Sequence, residues 1–280
     1  MANDPAASGM EALRTADPDR YLACLYAPAD KRDALATLYA FNAEIAAIRD
    51  RIHEPMPGEI RIQWWRDALV GGADAASGHP LATALIQVIK SHSLPLSAFD
   101  RYLEARIFDL YDDPMPSRTD LEGYCGETSS TVIQLAAFIL DPQAAAKFAA
   151  AAGHAGCAVA IAGMVRMLPL HSRRGQCYFP LDVLAAAGTD RDTLISGQDR
   201  EAIGRAVEAV AALAREHLTR FSSQVEAMPA ALRPAFLPTA LVPSYLNAAT
   251  KRGSTAPDAI ADINPLRKHG LLFYRAARGW

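Results

Sequence analysis

The feature that most constrains the fold is a long helical repeat of apolar residues after Pro28. Apolar side chains recur there at steps of three and four, at Leu35, Leu38, Phe41, Ile45, Ile48 and Ile52. This spacing aligns the side chains along one face and predicts an amphipathic helix of roughly seven turns. Such a stripe has to be buried against other elements, so the helix is expected to belong to a packed bundle.

Further helical patterns follow, without an alternating strand pattern longer than a few residues. The clearest start signal is a capping box formed by Thr119 and Glu122, which predicts an uninterrupted helix to about Ile139. The segment after Pro169 has no helical period and is predicted to be a loop. The other predicted helices cover Glu59–Gly72, Ala82–Ser91, Leu96–Tyr111, a stretch opened by Asp141-Pro142, Asp199–Val225 and, broken by prolines, Leu237–Lys251. The expected fold is all-α, one helical domain over residues 1–280 with a flexible segment at 1–16.

Charge and cysteine usage exclude several classes of protein. The formal net charge is -3 and no long run of like charges occurs, so a nucleic-acid partner is not expected. The four cysteines are scattered, which favours a reducing compartment, and no targeting signal is visible, so cytoplasmic residence is the expectation. The apolar stretch 144–167 is built mainly of Ala and Gly and is predicted to be a tightly packed core helix rather than a membrane span.

Five blocks of sequence resemble the squalene/phytoene synthase family in the family's own order. They read DRYLACLYAPADKRDALATLYAFNAEIAAIRD, IRIQWWRDAL, FDLYDDP, DLEGYCGETSST and RRGQCYFPLDVL. The resemblance implies an isoprenoid-synthase-type helical bundle with a central cavity. It also implies head-to-head transfer between two allylic diphosphates, with Mg²⁺ ions held by aspartates.

The resemblance also shows where this chain departs from the family. The first aspartate-rich motif, DDxxD, falls on residues 46–50, where Ala46 and Ala47 replace two aspartates and Asp50 alone remains. The second motif places Met167 and His171 at aspartate positions. Four family-like residues near it remain as candidates for binding a diphosphate: Arg166, Arg173, Arg174 and Tyr178.

These departures leave several functions open. The pattern is similar to that of a divergent branch that includes a mitochondrial assembly factor for respiratory complex I, which implies a non-catalytic protein and a complex I subunit or assembly factor as partner. The alternatives are an active Mg²⁺-dependent prenyl transferase, and a carrier that binds a prenyl diphosphate or lipid without reacting it. The basic and apolar tail NPLRKHGLLFYRAARGW could contact the inner face of the plasma membrane or dock on the bundle.

The candidate acidic residues have competing interpretations. Asp50 could bind a metal ion or pair with neighbouring arginines. Asp109 and Asp113 would share one face if the helix continued to Pro114, where they could hold Mg²⁺ or act as an acid and a base. Salt bridges, for example from Arg106 to Asp109, are the simpler alternative. No metal-ligand spacing of histidines is found.

Overall fold

The computed structural model describes residues 5–280, and within this range it is helical and contains no β-strand. The expected all-α class is therefore confirmed. The α-helices are α1 (Pro5–Ala16), α2 (Pro18–Leu25), α3 (Ala29–Ala46), α4 (Pro55–Gly71), α5 (Pro80–Ser91), α6 (Leu96–Arg106), α7 (Arg118–Cys125), α8 (Thr131–Leu140), α9 (Pro142–Lys147), α10 (Ala149–Arg166), α11 (Leu168–Arg173), α12 (Leu181–Ala186), α13 (Arg191–Ser196), α14 (Arg200–Ser222), α15 (Arg233–Phe236), α16 (Val242–Arg252) and α17 (Pro265–Arg278).

The chain divides into two compact units. The first contains the described residues up to Tyr111 together with Thr131–Ala149 and Met228–Leu237. The second contains Asp112–Ser130, Ala150–Ala227 and Pro238–Trp280. One domain over residues 1–280 stays a prediction. Residues 1–4 of the segment expected to be flexible lie outside the described residues, and from Pro5 the segment forms α1, in which Leu13 is buried.

Helix α3 is the centre of the first unit and packs against α1, α5 and α8. Its ring at Phe41 lies 5.0 Å from Trp65 and 5.4 Å from Tyr102, centroid to centroid. Every residue from Ala34 to Asn42 is buried, so the helix is enclosed on all sides rather than amphipathic. It also ends at Ala46, earlier than predicted, and a 3-10 turn over Arg49–Arg51 follows.

In the second unit, α7 begins at a different cap from the predicted one. The side chain of Ser117, not Thr119, accepts the backbone N–H of Asp120. The predicted uninterrupted helix is also wrong, because a π-helical turn over Gly126–Ser130 separates α7 from α8. Turns of this kind locally widen a helix and shift the register of the side chains that follow.

The small residues of α10 allow a very close approach to that turn. A Cβ atom built on Gly156 would lie 2.3 Å from the backbone nitrogen of Ser130, so only glycine fits there. The Ser130 hydroxyl donates a hydrogen bond to the carbonyl of Gly153 at 2.9 Å. Of the helices in the described part of the chain, α10 alone is long and apolar enough to cross a membrane, and 56% of it is buried inside the protein.

Candidate functional site

The position of the family's first motif lies at the end of α3. Ala46 is the last residue of the helix, Ala47 follows as its cap, and Asp50 is exposed in the 3-10 turn beyond it. The helix therefore stops before Asp50, which removes the helical face on which a DDxxD pattern would present its carboxylates.

The predicted carboxylate face at Asp109 and Asp113 does not exist. Helix α6 ends at Arg106, a 3-10 turn covers Ile107–Leu110, and the chain at Asp113 has no helical structure. Asp109 is buried, and its carboxylate pairs with the guanidinium of Arg106 at 2.9 Å. Asp113 is exposed. The ion pair considered for Arg106 and Asp109 is thus the observed arrangement.

Asp109 belongs to a buried polar network beside α3. The side-chain oxygen of Asn42 accepts from the Tyr102 hydroxyl at 3.0 Å and from Arg106 at 3.2 Å. Burial raises the pKa of Tyr102, although the nearby Arg106 acts in the opposite direction. The side-chain oxygens of Asn42 and Asp109 each accept a hydrogen bond within this network, as expected for polar acceptors in a core.

A second ion pair in the first unit involves Arg20. The family resemblance implies that Asp19 and Arg20 stand where the family has a Ser-Phe pair that helps to hold a diphosphate. The Arg20 guanidinium lies 2.6 Å from the carboxylate of Asp17. Above it, the hydroxyl of Tyr39 is buried and has no hydrogen-bond partner among the described residues, and burial raises the pKa of this phenol. Because Arg20 is neutralised by Asp17, it does not offer the excess positive charge that a diphosphate requires.

The position of the family's second motif lies on the short helix α11. Met167 caps its N-terminus and His171 lies within it, so this stretch is helical where the sequence predicted a loop. The His171 ring packs against Tyr178 at 4.7 Å, and Tyr178 lies 6.1 Å from Tyr124. The thioether of Met167 and the imidazole of His171, which packs against Tyr178, replace the carboxylates of the family.

The candidate anion-binding arginines are not equivalent. The Arg166 guanidinium pairs with Asp262 at 3.3 Å and stacks over the Tyr245 ring at 4.4 Å, and Lys268 approaches the same carboxylate at 3.2 Å. Burial would raise the pKa of Asp262, but the Ile263 N–H and the two cations hold it below its usual value. Arg173 is exposed at the end of α11, so anion binding there stays a prediction.

The residues at the motif positions do not fit the magnesium ions that the family implies. Mg²⁺ prefers carboxylate and other oxygen ligands in octahedral geometry, whereas alanine, methionine and histidine stand at four of the family's aspartate positions. In residues 9–280, moreover, no three His, Cys, Asp or Glu side chains come close enough together to hold a metal ion. No reaction step is therefore assigned to a metal here.

A polar network that the sequence did not reveal joins α7, α10 and α14. A carboxylate oxygen of Glu122 accepts from Arg118 at 2.7 Å and lies 3.3 Å from Nε2 of His217. Arg118 also pairs with Glu216 at 2.9 Å. On the other side, Nδ1 of the buried His217 lies 3.1 Å from Nδ1 of His154. Of these contacts, only the ion pair between Arg118 and Glu122 could be predicted from the sequence, because the two residues are four positions apart on one helix.

The charge states of this network follow from its surroundings. Burial acts to raise the pKa of Glu122, but the hydrogen bonds from Arg118 and His217 leave it below its usual value. Burial, followed by the nearby His217, lowers the pKa of His154. At neutral pH, Glu122 is therefore ionised and His154 neutral. The contacts of His217 with Glu122 through Nε2 and with His154 through Nδ1 link three helices in one polar chain.

The fold and these blocks of sequence define the class of protein. Residues 13–266 match the family model described as squalene/phytoene synthase. The chain belongs to this family.

Within it, the chain is similar to NADH dehydrogenase (ubiquinone) complex I, assembly factor 6. The rat protein (Rattus norvegicus) is 31% identical over 238 residues, which are 85% of this chain and 71% of the relative. The mouse protein (Mus musculus) is 30% identical over the same shares of the two chains.

Two solved structures show the same fold at low sequence identity. A dehydrosqualene synthase in complex with ligand superposes with a TM-score of 0.84 at 19% identity, covering 98% of this chain and 95% of that one. Squalene synthase HpnC from Alicyclobacillus acidocaldarius gives 0.73 at 19% identity, covering 89% and 94%. The isoprenoid-synthase-type helical fold is confirmed.

Proposed function

We propose that this chain acts in the assembly of respiratory complex I as a binding protein that performs no prenyl transfer. The single observation that carries the proposal is the loss of carboxylates at Ala46, Ala47, Met167 and His171 in a chain that keeps the family fold.

The similarity to assembly factor 6 supports the first half of the proposal. The identity extends over 85% of the chain, so it includes both units rather than one shared motif. Fold alone would not select this function, because one fold supports unrelated activities. The partner is accordingly proposed to be a complex I subunit or another assembly factor.

The chemistry of the motif positions supports the second half. A diphosphate leaving group requires several divalent ions in the family's reaction, and these ions need carboxylates from two motifs. Asp50 is exposed beyond the end of α3, while Asp109 is already paired with Arg106. The Arg166 guanidinium is likewise paired with Asp262. Without these carboxylates, the motif positions lack the ligands that ionisation of an isoprenoid diphosphate requires.

The experiment is deletion of the gene in its own organism, followed by native gel analysis of complex I and measurement of NADH:quinone reductase activity in membranes. We expect both to fall, and both to recover when the wild-type gene is returned. Unchanged complex I in the deletion strain would refute the assembly role.

Complementation with an Asp50→Asn variant separates binding from catalysis. Because the proposed role needs no metal, this variant is expected to restore complex I as fully as the wild type. A strain that recovers with the wild type but not with Asp50→Asn would instead favour the Mg²⁺-dependent transferase. Expression of the variant is checked by immunoblot, so that loss of protein is not mistaken for loss of function.

A further inference from the structure

Helix α17 presents an apolar stripe to solvent. Leu266 and Phe273 are 81% and 66% exposed, and they lie seven residues apart, so their side chains stand nearly above one another two turns along the helix. Gly270 and Ala277 lie between and beside them on the same face. Large apolar side chains lined up in this way mark an interaction surface more clearly than a single exposed residue does.

One edge of this stripe is basic and aromatic. Arg267 and Arg278 are exposed and share that edge, because a step of eleven residues returns to the same side of a helix. Tyr274, 57% exposed, lies between them. The sequence from Pro265 to the last residue contains no acidic side chain.

The opposite side of α17 fixes the helix to its own unit. Leu272 is fully buried, and the ammonium group of Lys268 lies 3.2 Å from Asp262 and 5.3 Å from the centre of the Tyr245 ring. Trp280, just after the helix, packs edge-on against Phe221 at 5.3 Å. The helix is therefore held with Leu272 inward and with Leu266 and Phe273 exposed to solvent.

The combination of charge and apolar surface selects the partner. A second copy of the chain would bring two arginine edges together, and like charges would oppose that contact. An anionic bilayer satisfies both features, since the apolar stripe enters the boundary between headgroups and acyl chains while the arginines meet lipid phosphates. Tyrosine at the edge suits the headgroup level.

We propose that α17 docks this chain on an anionic membrane surface, with Leu266 and Phe273 inserted and with Arg267 and Arg278 at the headgroups. The helix lies in the plane of the membrane and does not span it, because its apolar stripe covers only one face. The proposal does not depend on the role in complex I assembly, so either can fail without the other.

The test is co-sedimentation of the full-length protein with vesicles of phosphatidylcholine alone or with about one-third phosphatidylglycerol. We expect binding to the anionic vesicles only, weakening as salt screens the arginines. Leu266→Ser with Phe273→Ser should weaken binding by at least about tenfold, because each buried apolar side chain stabilises the bound state. Arg267→Gln should weaken it about fivefold.

Helix α4 supplies the matched control. Met56 and Val70 are 70% and 80% exposed on that helix, in the other unit, with the acids Glu59 and Asp67 between them in sequence. Met56→Ser with Val70→Ser should therefore leave vesicle binding unchanged. Circular dichroism and thermal unfolding confirm that both double variants remain folded, as expected for changes at exposed sites.

Three results would overturn the proposal. The first is no binding to anionic vesicles at low salt. The second is binding that the α17 double variant retains or the α4 double variant loses. The third is a wild-type dimer in sedimentation equilibrium that the α17 substitutions dissociate, because the stripe would then be covered by a second copy of the chain.

Discussion

Substitution of Gly156 by alanine tests how closely α10 approaches the π-helical turn. The added Cβ would lie 2.2 Å from the Ser130 hydroxyl oxygen and 2.3 Å from its Cα and backbone nitrogen. A side chain could rotate away from such a contact, but backbone atoms cannot move without displacing the turn or the helix. The substitution is therefore expected to destabilise the folded protein.

The magnitude follows from two opposing contributions. Overpacking in a close-packed interior costs roughly 1–3 kcal/mol, while replacing glycine by alanine inside a helix stabilises by about 1 kcal/mol. Gly163 isolates the first contribution, because it lies in the same helix and a Cβ there meets no other atom of the described chain within 4 Å. We expect Gly163→Ala to be neutral or stabilising and Gly156→Ala to be less stable than it by roughly 1–3 kcal/mol.

The assay is urea unfolding of the two variants and the wild type, followed by circular dichroism. A loss of about 2 kcal/mol would lower the thermal midpoint by roughly 4–8 °C in a chain of this size. If Gly156→Ala were as stable as Gly163→Ala, the close approach to Ser130 would be wrong.

The remaining predictions concern buried charges and pH. Asp109→Asn should cost about 3 kcal/mol in the free energy of unfolding, because it removes the buried carboxylate that pairs with the part-buried guanidinium of Arg106, whereas Asp113→Asn at an exposed site should change it by less than about 0.5 kcal/mol. Equal effects in urea unfolding would contradict this assignment. The folded protein binds a proton at His154 more weakly than the unfolded chain does, so stability should fall as pH drops below about 6.5. His154→Asn should reduce the loss of stability between pH 7 and 5, whereas His269→Asn, at an exposed position, should not. An unchanged pH profile in His154→Asn would show that His154 does not cause this loss.

Periodicity in the sequence located most of the helices but not all their ends. The helix starts predicted at Asp199 and at Asp141-Pro142 are confirmed, and the side chains of Asp199 and Asp141 cap α14 and α9. The end of α3 was missed because Ile48, in the bend between α3 and the 3-10 turn, continues the apolar period and is buried although the helix has ended at Ala46. An apolar period in the sequence indicates which side chains face the core, but it does not show where the α-helical backbone ends.

The cap of α7 shows a different limit. Ser117 and Thr119 are both hydroxyl residues with an acid three positions later, so local sequence gives them similar weight. Glu122 would complete the box with Thr119, but its carboxylate instead meets Arg118 and the distant His217. Contacts between residues far apart in the chain decided the start of the helix.

The sequence predicted part of the candidate site but not its long-range contacts. The substitutions at Ala46, Ala47, Met167 and His171 follow from aligning the family motifs and need no coordinates. The ion pair between Arg166 and Asp262 could not be predicted from the sequence, because the two residues are far apart in the chain and no local pattern connects them.

The absence of prenyl transfer is tested by incubating the purified protein with farnesyl diphosphate and Mg²⁺ and analysing the mixture for condensed hydrocarbon and released diphosphate. A dehydrosqualene synthase, run in parallel, shows that the assay detects turnover. We expect no condensed product from this chain at any Mg²⁺ concentration. A Mg²⁺-dependent product that disappears in Asp50→Asn would contradict this expectation and make the chain an enzyme.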